Sequence, residues 1–83
     1  MAVDIAGSAH MYFDSTMDDG YGFRFARPIN RLILTVVSGT VNLSLDGGSN
    51  FMALVVGTHQ LEIYNYKIVF SGGGVYSGFG ISL

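Results

Sequence analysis

Residues 41–56 read VNLSLDGGSNFMALVV, two extended arms joined by a glycine turn, and the arms differ in kind. In the first, Val41, Leu43 and Leu45 alternate with Asn42, Ser44 and Asp46. Successive side chains of a strand point to opposite sides, so this arm has one apolar and one polar face. The second arm does not alternate: Phe51, Ala53 and Val55 point one way, Met52, Leu54 and Val56 the other. A two-residue turn at Gly47 and Gly48 sets Leu43 opposite Met52 and Val41 opposite Leu54. A three-residue loop that includes Ser49 instead sets Leu45 opposite Phe51 and Leu43 opposite Ala53. Both registers pair apolar side chains across the strands, and both leave residues 51–56 with a second apolar face in need of cover.

Little chain is available to cover it. The sequence has 83 residues, one domain, and a chain this short hides only ~60% of the surface its unfolded form exposes. There is no cysteine, hence neither a disulfide nor a thiolate metal site to reinforce a thin core. Charged residues are 12% and apolar or aromatic ones 49%, whereas ordinary soluble domains are roughly 25% charged. Such a surface is expected to be completed by other chains. A net charge of -2 and a pI of 5.3 do not suit a phosphate-tracking surface, which needs clustered cations, so no nucleic-acid partner is expected. Residues 68–83 carry no charge, but Gly72, Gly73, Gly74, Gly78 and Gly80 interrupt them, and a spanning helix needs ~20 mostly apolar residues. No membrane partner is expected. MAVDIAGSAH at the start has neither the basic opening nor the apolar run of a secretory signal.

Working outward from the hairpin, nearly everything reads as strand. GYGFRFA (20–26) puts Tyr21, Phe23 and Phe25 on one face, and Pro28 with Asn30 marks a turn. RLILTVVS (31–38) is apolar on both faces, HQLEIY (59–64) places Leu61 and Ile63 together, and VYSGFGISL (75–83) alternates. Between Ile63 and Ile68 the apolar parity moves from odd to even, which predicts a tight turn or a bulge at Asn65. Turn signals recur about every ten residues, the rhythm of a sandwich or small barrel. Twelve glycines leave helix little propensity. The expected fold is all-β: a small antiparallel sandwich or jelly-roll-like barrel of about seven to eight short strands, in one domain spanning 1–83, with 1–20 an extended or mobile N-terminal segment.

Residues 32–37 make the same demand for cover as residues 51–56. Such a strand either lies in the middle of a sandwich, covered by its own chain on both sides, or is buried against another subunit. With two such strands in so short a chain the second reading is favoured, since obligate interfaces resemble a domain core cut in half, and Leu32, Leu34, Val36, Phe51, Met52, Leu54 and Val56 are the candidate interface. The charges are segregated: Arg24, Arg27 and Arg31 lie within FRFARPINR, and Asp14, Asp18 and Asp19 within DSTMDDG. Two readings stand for these groups, complementary patches that register contacts between chains, or solvated loops that contribute little.

Motifs for chemistry are wanting. DSTMDDG alternates oxygen donors as a calcium loop does, but Asp19 stands where an EF-hand needs glycine and no glutamate closes the loop. GGGVYSGFG has no lysine and leads into a strand, so it lacks the helix N-terminus that holds phosphate. His10 and His59 have no spacing that suits a metal or a serine nucleophile. No catalytic, cofactor or metal residue is assigned, and no enzyme activity is expected. Tyr12, Tyr21, Tyr64, Tyr66 and Tyr76 suit either a sugar-stacking platform or the ordinary aromatic content of strands and interfaces.

TVVSGTVNLSLDGGSNFMALVVGTHQLEI, residues 35–63, resembles the strand, DGG hairpin and glycine-turn pattern of small β-rich virion proteins of tailed bacteriophages, which include capsid decoration (cement) proteins and small tail components. The resemblance covers about a third of the chain and carries over no functional residue. It implies a non-enzymatic virion protein, made in the host cytoplasm, which forms a homo-oligomer, often a trimer, on other virion proteins such as a major capsid protein. The leading expectation is a capsid decoration protein that stabilises a larger assembly; the alternative is a small tail or fibre component or a carbohydrate-binding module.

Overall fold

The computed structural model describes residues 2–7 and 9–83. Nine strands follow one another: β1 (Val3–Ile5), β2 (His10–Asp14), β3 (Phe23–Ile29), β4 (Arg31–Ser38), β5 (Val41–Ser44), β6 (Met52–Leu54), β7 (Gly57–Leu61), β8 (Asn65–Ser71) and β9 (Val75–Ile81). They form two layers, a five-stranded sheet ordered β1-β3-β8-β5-β6 and a four-stranded sheet ordered β2-β9-β4-β7. The fold is therefore an all-β sandwich, open at its sides and not a barrel, with nine strands where seven to eight were expected. The pairing is antiparallel apart from β1, which runs parallel to β3.

The order of the strands makes β5–β6 unlike its neighbours. Every other connection along the chain passes from one sheet to the other, so β5 and β6 form the single hairpin among the described strands. Val41 faces Leu54, Asn42 faces Ala53 and Leu43 faces Met52, which is the register centred between Gly47 and Gly48. Sheet crossing also explains the parity change near Asn65. β7 ends at Leu61 in one sheet and β8 begins at Asn65 in the other, so the step is a passage between layers. Asn65 pins that passage: its Nδ2 donates to the Leu45 carbonyl at 2.7 Å, and its Oδ1 accepts from the Tyr66 and Lys67 amides at 2.8 and 3.2 Å.

One further expectation changes. Pro28 lies inside β3, not in a turn, and the β3–β8 ladder loses register between Arg24 and Ile29. Proline has no amide hydrogen, so it is accommodated where the ladder is already interrupted. In the N-terminal twenty residues, β1 and β2 are extended strands paired with β3 and β9; Met1 and Ser8 lie outside the described residues.

The core is aromatic at its centre. Phe13 from β2 has ring-centroid distances of 5.2 Å to Phe23, 5.9 Å to Phe25, 5.8 Å to Phe70 and 6.2 Å to Tyr76. Ile29, Leu32, Leu34, Val36, Val41, Leu43 and Ile68 complete the buried layer. The accessible surface is 4561 Å², close to the roughly 4,800 Å² expected of a folded monomer of this mass. The chain thus closes a core by itself.

Rings of this size fit because β9 presents glycine at inward positions. A Cβ on Gly80 would lie 2.7 Å from Cε1 of Phe25 and 2.9 Å from Cγ2 of Ile29. A Cβ on Gly78 would collide with the Ile33 carbonyl and press on the Phe13 ring. Gly80→Ala is expected to destabilise the fold by about 1–3 kcal/mol through overpacking, read as a lower midpoint in urea unfolding at an unchanged slope.

Candidate functional site

On the flank of the sandwich between β6 and β7 a continuous run of apolar residues stays in water. β1 lies against β2 and β3 against β9, so the wider sheet matches the narrower one from that side and β6 is the strand left with none opposite. Met52 and Leu54 belong to the inward face, beside Leu43 and Val41, yet Met52 is 41% exposed and Leu54 only partly covered. Phe51 is 44% exposed, Val55 74% and Val56 62%. Leu45, Leu61 and Ile63 are partly buried along the same opening. A groove of about 310 Å³ runs into it, lined by Leu43, Leu45, Asp46, Asn50, Phe51 and Met52.

The loop that carries Phe51 is built around one carboxylate. Oδ1 of Asp46 accepts from the amides of Ser49 and Asn50 at 3.1 and 2.9 Å and from the Ser44 hydroxyl at 2.7 Å, and Oδ2 accepts from Asn50 Nδ2 at 2.7 Å. Ser44, buried, in turn accepts from the Gly48 amide at 2.9 Å. Gly47 and Gly48 have positive φ, 85° and 101°, backbone that glycine adopts without steric cost. The Asn50 side chain, followed by the Asn50 amide and Ser44, holds the Asp46 carboxyl well below the usual carboxylate range. At the other end of the flank, His59 Nε2 lies 2.7 Å from the Val55 carbonyl.

The structure divides the candidate interface in two. Leu32, Leu34 and Val36 are buried in the chain's own core, so they are not available to a partner. The reason is that β4 is central in its sheet, between β9 and β7, and the five-stranded sheet covers its inner face. The outer face is half covered along the strand, Ile33 beside Phe79 and Gln60 and Thr35 beside Thr58, with Val37 exposed. Phe51, Met52 and Val56 do stay exposed, and Leu54 is half-buried. Val55, the most exposed apolar residue of the flank, lies between two strands of different sheets, a position that sequence alternation does not report.

The charged groups are not gathered into one patch. Arg24 Nε donates to Asp4 Oδ1 at 2.9 Å across the parallel β1–β3 pair. Arg31 begins β4 in the other sheet, with Nη2 3.9 Å from Glu62 Oε1. Arg27 has no ion pair among the described residues. Asp14 accepts from the Thr16 amide and hydroxyl and from the Tyr12 hydroxyl. Thr16 first, then Tyr12, lowers its pKa. Asp18 accepts from the Gly20 amide and the Tyr76 hydroxyl, and Asp19 from the Tyr21 amide. These carboxylates order their own loop, and among the described residues no three His, Asp or Glu side chains converge.

The five tyrosines do not form one platform. Tyr76 is buried, stacked on Phe70 at 4.1 Å, with its hydroxyl pKa raised by burial and by Asp18. Tyr12 stands edge-on to Phe79 at 5.4 Å on the outer face of the four-stranded sheet. Among the described residues no helix is long and apolar enough to cross a membrane. No family model, curated protein or solved structure matches the chain.

Because its folded pKa is depressed, Asp46 stabilises the loop at pH values above its unfolded pKa of roughly 4, and the contribution is lost as the pH falls through the folded value. The amides of Gly48, Ser49 and Asn50 are therefore expected to exchange faster in Asp46→Ala than in the parent at pH 6. In the parent, the same protection fades only in strong acid. Equal exchange in the two proteins at pH 6 would remove Asp46 as the organiser of this loop.

Proposed function

We propose that this protein is a structural assembly module. It associates through the flank at residues 51–56 and stabilises a larger protein assembly by burying apolar surface, without chemistry of its own. One observation carries the reading: six consecutive apolar residues, Phe51, Met52, Ala53, Leu54, Val55 and Val56, stay exposed or half-exposed on a chain whose core is otherwise closed. Monomeric soluble proteins seldom leave a continuous apolar patch of this kind unless it binds something.

The resemblance of residues 35–63 to small tailed-phage virion proteins supplies the setting: a capsid decoration protein held in many copies on a shell, or a small tail component. In that setting burial contributes about 25 cal/mol per Å² of apolar area, and repeated copies bridging neighbouring subunits add avidity.

Val55→Asp and Val56→Asp, made separately, change side chains that contribute nothing to the buried core. Each is expected to leave the far-ultraviolet circular dichroism unchanged while lowering the native assembly mass. If both variants keep the parent's assembly mass, the flank does not mediate association.

A further inference from the structure

We infer that the flank's partner is a second copy of this chain, joined about a two-fold axis with β6 antiparallel to β6. This rests on the proposed assembly role and names the occupant of its surface. Three features of the flank point to self-recognition.

The first is charge. From Gly47 to Leu61 the chain has no Asp, Glu, Lys or Arg. A two-fold interface brings one patch against a copy of itself, so any charge near the axis meets its like. A neutral patch is the one composition that escapes this repulsion. Asp46 lines the groove, but its carboxylate oxygens are taken up by the Ser44 hydroxyl, the Ser49 and Asn50 amides and the Asn50 side chain, and Glu62 follows the stretch at its other end.

The second is shape. β6 is centred on Ala53, and an antiparallel pair with Ala53 facing its own copy sets Met52 beside Leu54 and Phe51 beside Val55 of the second copy. Phe51 and Met52 line the 310 Å³ groove, and Val55 is the most exposed apolar residue of the flank. The two-fold register thus sets the most exposed side chain of each copy beside a residue that lines the other copy's groove.

The third is area. The exposures of Phe51, Met52, Val55 and Val56 amount to roughly 400 Å² of accessible surface on apolar residues, about half of the ~800 Å² one partner contributes to a standard interface. The neighbouring Ser49, Asn50, Thr58 and Gln60 supply a polar rim. The outward edge of β6 has neither charge nor proline to discourage pairing; its three-residue length limits the ladder to the register centred on Ala53.

The chain has no cysteine, so a single introduced thiol reports the axis. Facing residues of antiparallel strands have Cα atoms ~4.5–5.5 Å apart, within disulfide reach. Ala53→Cys, oxidised at low micromolar concentration, is expected to give a covalent dimer in high yield. Val37→Cys, on the exposed end of β4, is expected to stay mostly uncrosslinked, and the native mass of the parent should be that of a dimer or a multiple of one. An assembly of odd copy number, or a yield for Ala53→Cys no higher than for Val37→Cys, overturns the two-fold pairing. Val55→Asp, by lowering the mass of such an assembly, would still leave the assembly role standing.

Discussion

The sandwich depends on two missing side chains. Inward positions 78 and 80 of β9 are glycines, and the rings of Phe13 and Phe25 come within contact distance of where their Cβ atoms would be. Without that space the two layers could not close on an aromatic cluster, because Phe13 touches rings from β3, β8 and β9 at once. Large against small is the general solution to filling an interior at crystal-like density. In this chain it lets 83 residues with no cysteine assemble a core without a disulfide.

The same economy produces the exposed flank. Nearly every connection crosses between layers, so strands are dealt alternately to the two sheets, and the one hairpin gives the first sheet a fifth strand. With β1 on β2 and β3 on β9, the extra width falls at β6. Met52 and Leu54 then face inward over a layer that has already ended. The apolar surface of the flank therefore follows from a mismatch of one strand between the sheets, and it lies where a hairpin meets the crossing to β7.

Much of this was legible in the sequence, and the parts that were not have a common cause. Alternation in residues 41–46 and glycines at 47 and 48 give the hairpin and leave two registers open, and absence of alternation in residues 51–56 marks the strand that the facing layer does not cover. Residues 32–37 show the same lack of alternation, yet Leu32, Leu34 and Val36 are buried by the chain itself. Sequence pattern reports how apolar each face is; strand order decides which faces meet, and order is set by non-local pairing. β1 is three residues long and parallel to its neighbour, a pairing with no local signal. Arg24 was read with Arg27 and Arg31 because they are close in sequence, but its partner Asp4 lies twenty residues away.

An exposed apolar surface is useful for association only if it is already ordered, since immobilising loops and side chains on binding offsets what burial gains. The flank is ordered at both ends. Asp46 gathers the amides of Ser49 and Asn50, and through Ser44 that of Gly48, so Phe51 leaves a loop whose hydrogen bonds are already made. His59 closes on the Val55 carbonyl from the far side. Between these two anchors the backbone runs through β6 with its inner edge paired to β5. The polar residues of the hairpin thus hold the apolar ones in one fixed arrangement. The contrast between the two arms follows from this division of labour: one arm anchors the hairpin to the core, and the other presents it.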